Sequence, residues 1–118
     1  MKLTFEQTEK QYIGLIIEDA MTGAKQAKAK NVVKEGARLI SKFTSNSTYV
    51  DLKFKELDVI TQLVTSSVEV LERILESPTT KADKTVVANN LEFAKVFSVK
   101  LQGIRDDQKE RLTKQFLG

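Results

Sequence analysis

The sequence has no cysteine, no histidine and no tryptophan, and its one proline is Pro78. Without cysteine, a disulfide framework and a zinc–thiolate site are both excluded. Without histidine, the commonest metal ligand and the commonest general base near neutral pH are missing. The five glycines, Gly14, Gly23, Gly36, Gly103 and Gly118, stand singly, so no phosphate-cradling glycine loop is present. Long apolar runs are absent as well. Near the N-terminus the longest is Leu15-Ile16-Ile17, far short of the roughly twenty residues a transmembrane helix needs. Glu6 and Glu9 fall where a secretory signal would place its apolar core. The expectation is therefore a soluble, cytoplasmic protein with no membrane span.

What remains is an ordinary globular composition: 118 residues, 41% hydrophobic and 30% charged. That size and balance suit one domain spanning residues 1–118, large enough to bury a core without staples. The net charge of +3 is unevenly spread. Residues 25–43 hold six bases against one acid, Glu35; residues 1–24 and 44–78 carry an excess of acids, and residues 79–118 an excess of bases. Alternating signs suit neighbouring helices that attract one another, and they leave one segment distinctly basic.

Apolar residues recur at helical spacing throughout. Thr4 with Gln7 resembles a capping box, which predicts a first helix from about Phe5. Its apolar face collects Phe5, Tyr12, Ile13, Ile16, Ile17 and Ala20. Thr22-Gly23 is a plausible end or kink, and whether helices 1 and 2 are continuous stays open. A second helix is expected from about Lys25 to Phe43, with Val32, Val33, Gly36, Leu39, Ile40 and Phe43 on one face. A glycine in the middle of that face implies close backbone approach to a neighbour. Thr44–Thr48 is the clearest loop, because its hydroxyl and amide side chains compete with helical hydrogen bonds. A third helix is predicted from about Asp51 to Glu76, ended by Ser77-Pro78. Its stripe includes Leu57, Ile60, Leu63, Val64, Val68, Leu71, Ile74 and Leu75. A fourth should start between Thr80 and Thr85 and reach Gln102, with Val86, Phe93, Ala94, Phe97, Leu101 and Ile104 on its buried side. Gly103 reads as a break before a short fifth helix, capped by Asp106, supported by Asp107–Arg111 and Glu110–Lys114, and docked by Leu112 and Phe116. The expected fold is all-α, a single-domain bundle of four to five helices.

Four constellations could carry function. Lys30, Lys34, Arg38 and Lys42 are spaced four apart opposite the apolar face of helix 2, and Lys25 and Lys28 extend the charge at its start. Such a stripe could follow the phosphates of a nucleic acid, or be a solvated face bridged to the acidic helices 1 and 3. No aromatic interleaves it, so base stacking is not indicated. Asp58, Glu69, Glu72 and Glu76 form an acidic sector on helix 3, with Arg73 among them. Lacking histidine and pointing away from the core, they read as a solvated face rather than a metal site. Leu15, Leu91, Val96 and Val99 stray from the core stripes, which fits either a central helix or a face that meets another chain. Tyr49, beside the polar loop, is a possible contact residue or a lid over a helix end.

No nucleophile–base pair and no cofactor motif emerges. The expectation is a non-enzymatic protein–protein interaction module: a small adaptor, inhibitor or regulatory subunit, able to self-associate, contacting its partner through Leu15, Leu91, Val96 and Val99. No cofactor, metal or small-molecule substrate is indicated. The alternative is a nucleic-acid-binding protein using Lys30, Lys34, Arg38 and Lys42.

Overall fold

The structure, a computed structural model, describes residues 1–117. In chain order the elements are β1 (Lys2–Thr4), α1 (Gln7–Gln26), α2 (Lys30–Phe43), β2 (Tyr49–Asp51), α3 (Phe54–Glu76) and α4 (Lys84–Leu117). The class is all-α, with four helices among the described residues rather than five, and one short antiparallel ribbon. No helix among those residues is long and apolar enough to cross a membrane. The chain clusters into two compact units, Met1–Glu56 and Leu57 onward. Each is taken in turn.

In the first unit, α1 starts two residues later than Thr4–Gln7 implies. The N-cap is Glu6, and its backbone N–H donates to the Glu9 carboxylate at 2.9 Å. Glu9 is thus the returning half of a capping box whose first residue is not the usual serine or threonine. The helix runs unbroken through Gly23 and ends in a turn at Ala27–Ala29. There the Ala29 N–H donates to the Ala24 carbonyl at 2.8 Å and the Lys28 N–H to the Lys25 carbonyl at 3.1 Å. These two bonds are those of a Schellman closure, whose left-handed position is normally glycine. Here it is Lys28, at φ 59°. Helices 1 and 2 are therefore separate, and α2 begins at Lys30 rather than Lys25.

The two helices pack closely at Gly36. A Cβ built there would lie 2.6 Å from Met21 Cγ and 2.9 Å from Met21 Sδ, so the glycine is what permits the approach. The Thr44–Thr48 segment is a loop, as its composition predicts. It is anchored by a buried lysine: Lys10, 3% exposed, donates from Nζ to the carbonyls of Ser45 and Ser47. β2 follows, pairing antiparallel with β1 so that Leu3 faces Val50. Phe5 and Phe43 meet edge to face with centroids 5.6 Å apart, and Val50 and Leu52 are buried in the same unit.

In the second unit, α3 continues to Glu76, where Pro78 closes it. Asp83 then starts α4: its carboxylate accepts from the N–H of Thr85 at 2.9 Å and of Val86 at 3.3 Å. The two helices are antiparallel, since Thr65 meets Ser98 at 3.0 Å, Asp58 meets Arg105 at 3.6 Å and Glu72 meets Lys95 at 3.7 Å. A polar chain links them. Gln102 donates to Ser98 Oγ at 2.9 Å, Ser98 and Thr65 hydroxyls share a bond, and Thr65 donates to the Thr61 carbonyl at 2.8 Å. A satisfied chain of this kind favours one axial register over a slipped one. The buried face of α4 is Val87, Leu91, Ala94, Phe97, Ser98 and Leu101. Val86, expected inside, is exposed, and its neighbour Val87 takes the buried position. Gly103 does not break the helix, and Asp106 caps nothing. The Asp107–Arg111 and Glu110–Lys114 pairs form at 3.2 Å each, but inside one continuous 34-residue helix.

Candidate functional site

The basic stripe on α2 is divided by its surroundings. Arg38 lies 3.0 Å from Glu35 and 3.4 Å from Glu56, while Lys42 lies 2.9 Å from Glu56 and donates to the Asp51 carbonyl at 3.1 Å. Glu56 is buried and also accepts the Lys53 N–H at 2.9 Å, closing the first turn of α3 as Glu9 closes that of α1. Burial pushes the Glu56 carboxyl up, but the Lys53 N–H, the Lys42 ammonium and the Arg38 guanidinium together outweigh it and hold it below its ordinary value. Asp51, fully exposed, is also lowered, chiefly by its hydrogen bond from the Met1 ammonium.

Arg38 and Lys42 therefore tie α2 to β2 and to the start of α3. Lys30 and Lys34 are exposed, and among the described residues neither forms an ion pair, unlike Arg38 and Lys42. Together with Lys25, Lys28, Ala29 and Val33 they line an open concavity of about 420 Å³ at the α1–α2 turn.

The four apolar residues singled out from the sequence separate in the same way. Leu15, Val96 and Val99 are exposed, at 62%, 69% and 71%. Leu91 is not a surface residue. It is buried on the α3-facing side of α4, because spacings of three and four from Val87 to Ala94 bring it into that stripe. Leu15 lines a second concavity of about 490 Å³, formed with Gln11, Phe43 and the Thr44–Asn46 loop. Tyr49 is half exposed on β2, with the Lys2 ammonium 5.0 Å from its ring centre.

Leu112 and Phe116 were expected to dock a fifth helix and instead are exposed, Phe116 at 87%. Leu112 and Phe116 continue the spacing Val87, Leu91, Ala94, Ser98, Leu101, Arg105 along α4.

The acidic sector of α3 does not converge on a point. Asp58 pairs with Arg105 and accepts from Gln62 at 3.0 Å, and Glu72 pairs with Lys95. No group of three carboxylates able to hold a metal occurs among the described residues. Compared with known proteins, the chain matches no family model, no curated sequence and no solved structure.

Proposed function

We propose that this chain is a non-enzymatic interaction module that docks a protein partner along α4, as a small adaptor, inhibitor or regulatory subunit would. The observation that carries the reading is Phe116, a large aromatic side chain almost fully exposed on α4 at the spacing of its buried stripe. Exposed aromatics anchor protein interfaces out of proportion to their number. Val96 and Val99 add a second exposed apolar pair on the same helix. Leu15 belongs to the first unit, where it lines the concavity beside the Thr44–Asn46 loop. The nucleic-acid alternative has weaker support, since two of its four cations are engaged by carboxylates.

The test is a site-specific photo-crosslinker placed at Val96, Phe116 or, as a control, Lys81, with sedimentation equilibrium run in parallel. Adducts at 96 or 116 but not at 81, with another protein or with a second copy, support the reading. Absence of adducts at both positions, with a monomer at every concentration, overturns it.

A further inference from the structure

Two valines in the middle of α4 stand apart from the stripe that the helix buries. Val96 and Val99 are exposed, and at 3.6 residues per turn they lie on the side of α4 away from Leu91, Ser98 and Leu101. A β-branched side chain is a poorer helix former than alanine, lysine or glutamate, so an exposed valine neither packs nor favours the helix. The charges on the same face supply a second observation.

That face carries opposite charges at its two ends. Before the valines comes Lys84; after them come Asp106, Asp107 and Glu110, and all four are exposed. Lys84 stands 12 residues before Val96, and Glu110 stands 11 residues after Val99. In an antiparallel pair of α4 helices with a two-fold axis between Phe97 and Ser98, Val96 of each copy meets Val99 of the other. The same register brings Lys84 of each copy level with Glu110 of the other to within one residue, about 1.5 Å along the axis. Glu92 of each copy then faces Gly103 of the other. Gly103 is exposed, and a Cβ added there meets nothing within 4 Å, so the glutamate has room. Lys95, on the flank, is engaged by Glu72 of its own copy. A parallel pair would set Glu92 and Glu110 each against its own counterpart, like charge against like.

We infer that the valine face of α4 is occupied by a second copy of this chain, paired antiparallel across a two-fold axis. This rests on the reading of α4 as a docking helix and names the partner of that face. The interface is isologous, each copy offering the patch that the other needs. Its apolar centre is four valine side chains, small beside that of a permanent dimer, so the pair forms and separates with concentration. Phe116 lies round the helix from this face and takes no part in it.

The test is sedimentation equilibrium of the full chain over a wide concentration range, with oxidative cross-linking of single cysteines, which the cysteine-free sequence makes unambiguous. The expected result is a reversible monomer–dimer equilibrium. Val96→Asp with Val99→Asp abolishes it while the melting temperature holds, and Phe116→Ala leaves it unchanged. Lys84→Glu or Glu110→Lys alone weakens pairing by about fivefold, since symmetry removes two exposed ion pairs at once; the two together restore it. Thr85→Cys mixed with Glu110→Cys gives a disulfide-linked pair faster than either variant alone. A dimer that survives the valine substitutions overturns the inference, as does one in which 85 links to 85 and 110 to 110. A chain that is monomeric at every concentration, yet is captured by another protein through a crosslinker at 96 or 116, overturns self-pairing and leaves the docking reading of α4 standing. A monomer with no such adduct overturns both.

Discussion

Replacing Gly36 by alanine sets two known effects against each other in one residue. Gly36 is a buried interior position of α2, where alanine gains about 1 kcal/mol of helix propensity over glycine. The added methyl would lie 2.6 Å from Met21 Cγ and 2.9 Å from Met21 Sδ. Carbon atoms prefer about 3.5–4.0 Å, so α1 and α2 must separate or Met21 must change rotamer. Overpacking of this kind costs about 1–3 kcal/mol, and the flexibility of methionine places the cost in the lower part of that range. The net expectation is destabilisation of about 1 kcal/mol. Urea unfolding followed by far-UV circular dichroism measures it, with Gly103→Ala as reference. Gly103 is exposed within α4, and an added methyl meets nothing within 4 Å. That variant should gain about 0.5–1 kcal/mol. In a Met21→Ala background Gly36→Ala should lose its penalty and approach the Gly103→Ala gain, a coupling that the double-mutant cycle reads directly. If Gly36→Ala stabilises as much as Gly103→Ala, the close approach of α1 and α2 is wrong.

Three further outcomes can be checked on the same apparatus. Lys28→Gly should stabilise by about 1 kcal/mol, the cost of holding a non-glycine residue in the left-handed region. Glu56→Gln should destabilise by about 1–2 kcal/mol at neutral pH, through loss of charge-assisted bonds to Lys42, Arg38 and the Lys53 N–H. Because the Glu56 carboxyl titrates below its ordinary value of 4.5, the unfolded chain takes up that proton first. The contribution of Glu56 is whole above that value and is lost as pH falls through the lower folded one, so the gap between wild type and Glu56→Gln should narrow on acidification. Leu91→Ala should cost about 2–3 kcal/mol as a core truncation, whereas Val96→Asp should change stability by no more than about 0.5 kcal/mol. Equal effects at the two positions would contradict the burial that separates them.

Much of the helical pattern is legible in the sequence where a strong local signal exists. Pro78 and the Thr44–Thr48 run mark ends that the structure keeps, and Gly36 announces the close helix approach. What escapes is information carried by long separations or by small differences in phase. Glu6–Glu9 caps α1 in place of Thr4–Gln7, because the returning glutamate matters as much as the residue before it; Lys53–Glu56 repeats the arrangement. The strands β1 and β2 are three residues each and pair across most of the first unit's sequence, so no alternation is visible. Adjacent valines at 86 and 87 leave the phase of α4 ambiguous by one residue, and that same phase error put Leu91 on the surface. Lys10 looks like a solvated lysine because its partners are backbone carbonyls of a distant loop. Of the basic stripe, the spacing was visible but not Glu56, whose burial between Arg38 and Lys42 depends on how the chain returns after β2. The exposed end of α4 escapes because a lone glycine in a long helix carries the same local signal as a helix end.

The pairing of β1 with β2 also orders events in time. Bringing Leu3 to Val50 closes a loop of roughly fifty residues, for which chain statistics alone charge about 3 kcal/mol or more. Three pairs of residues cannot meet that cost from a disordered chain. Once α1 and α2 have docked, most of the intervening length is already folded back on itself, and the remaining search is short. The ribbon is then a late step in folding and an early one in unfolding. The amides of β1 and β2 should report the opening of the first unit before those of Ile13 and Leu39 do.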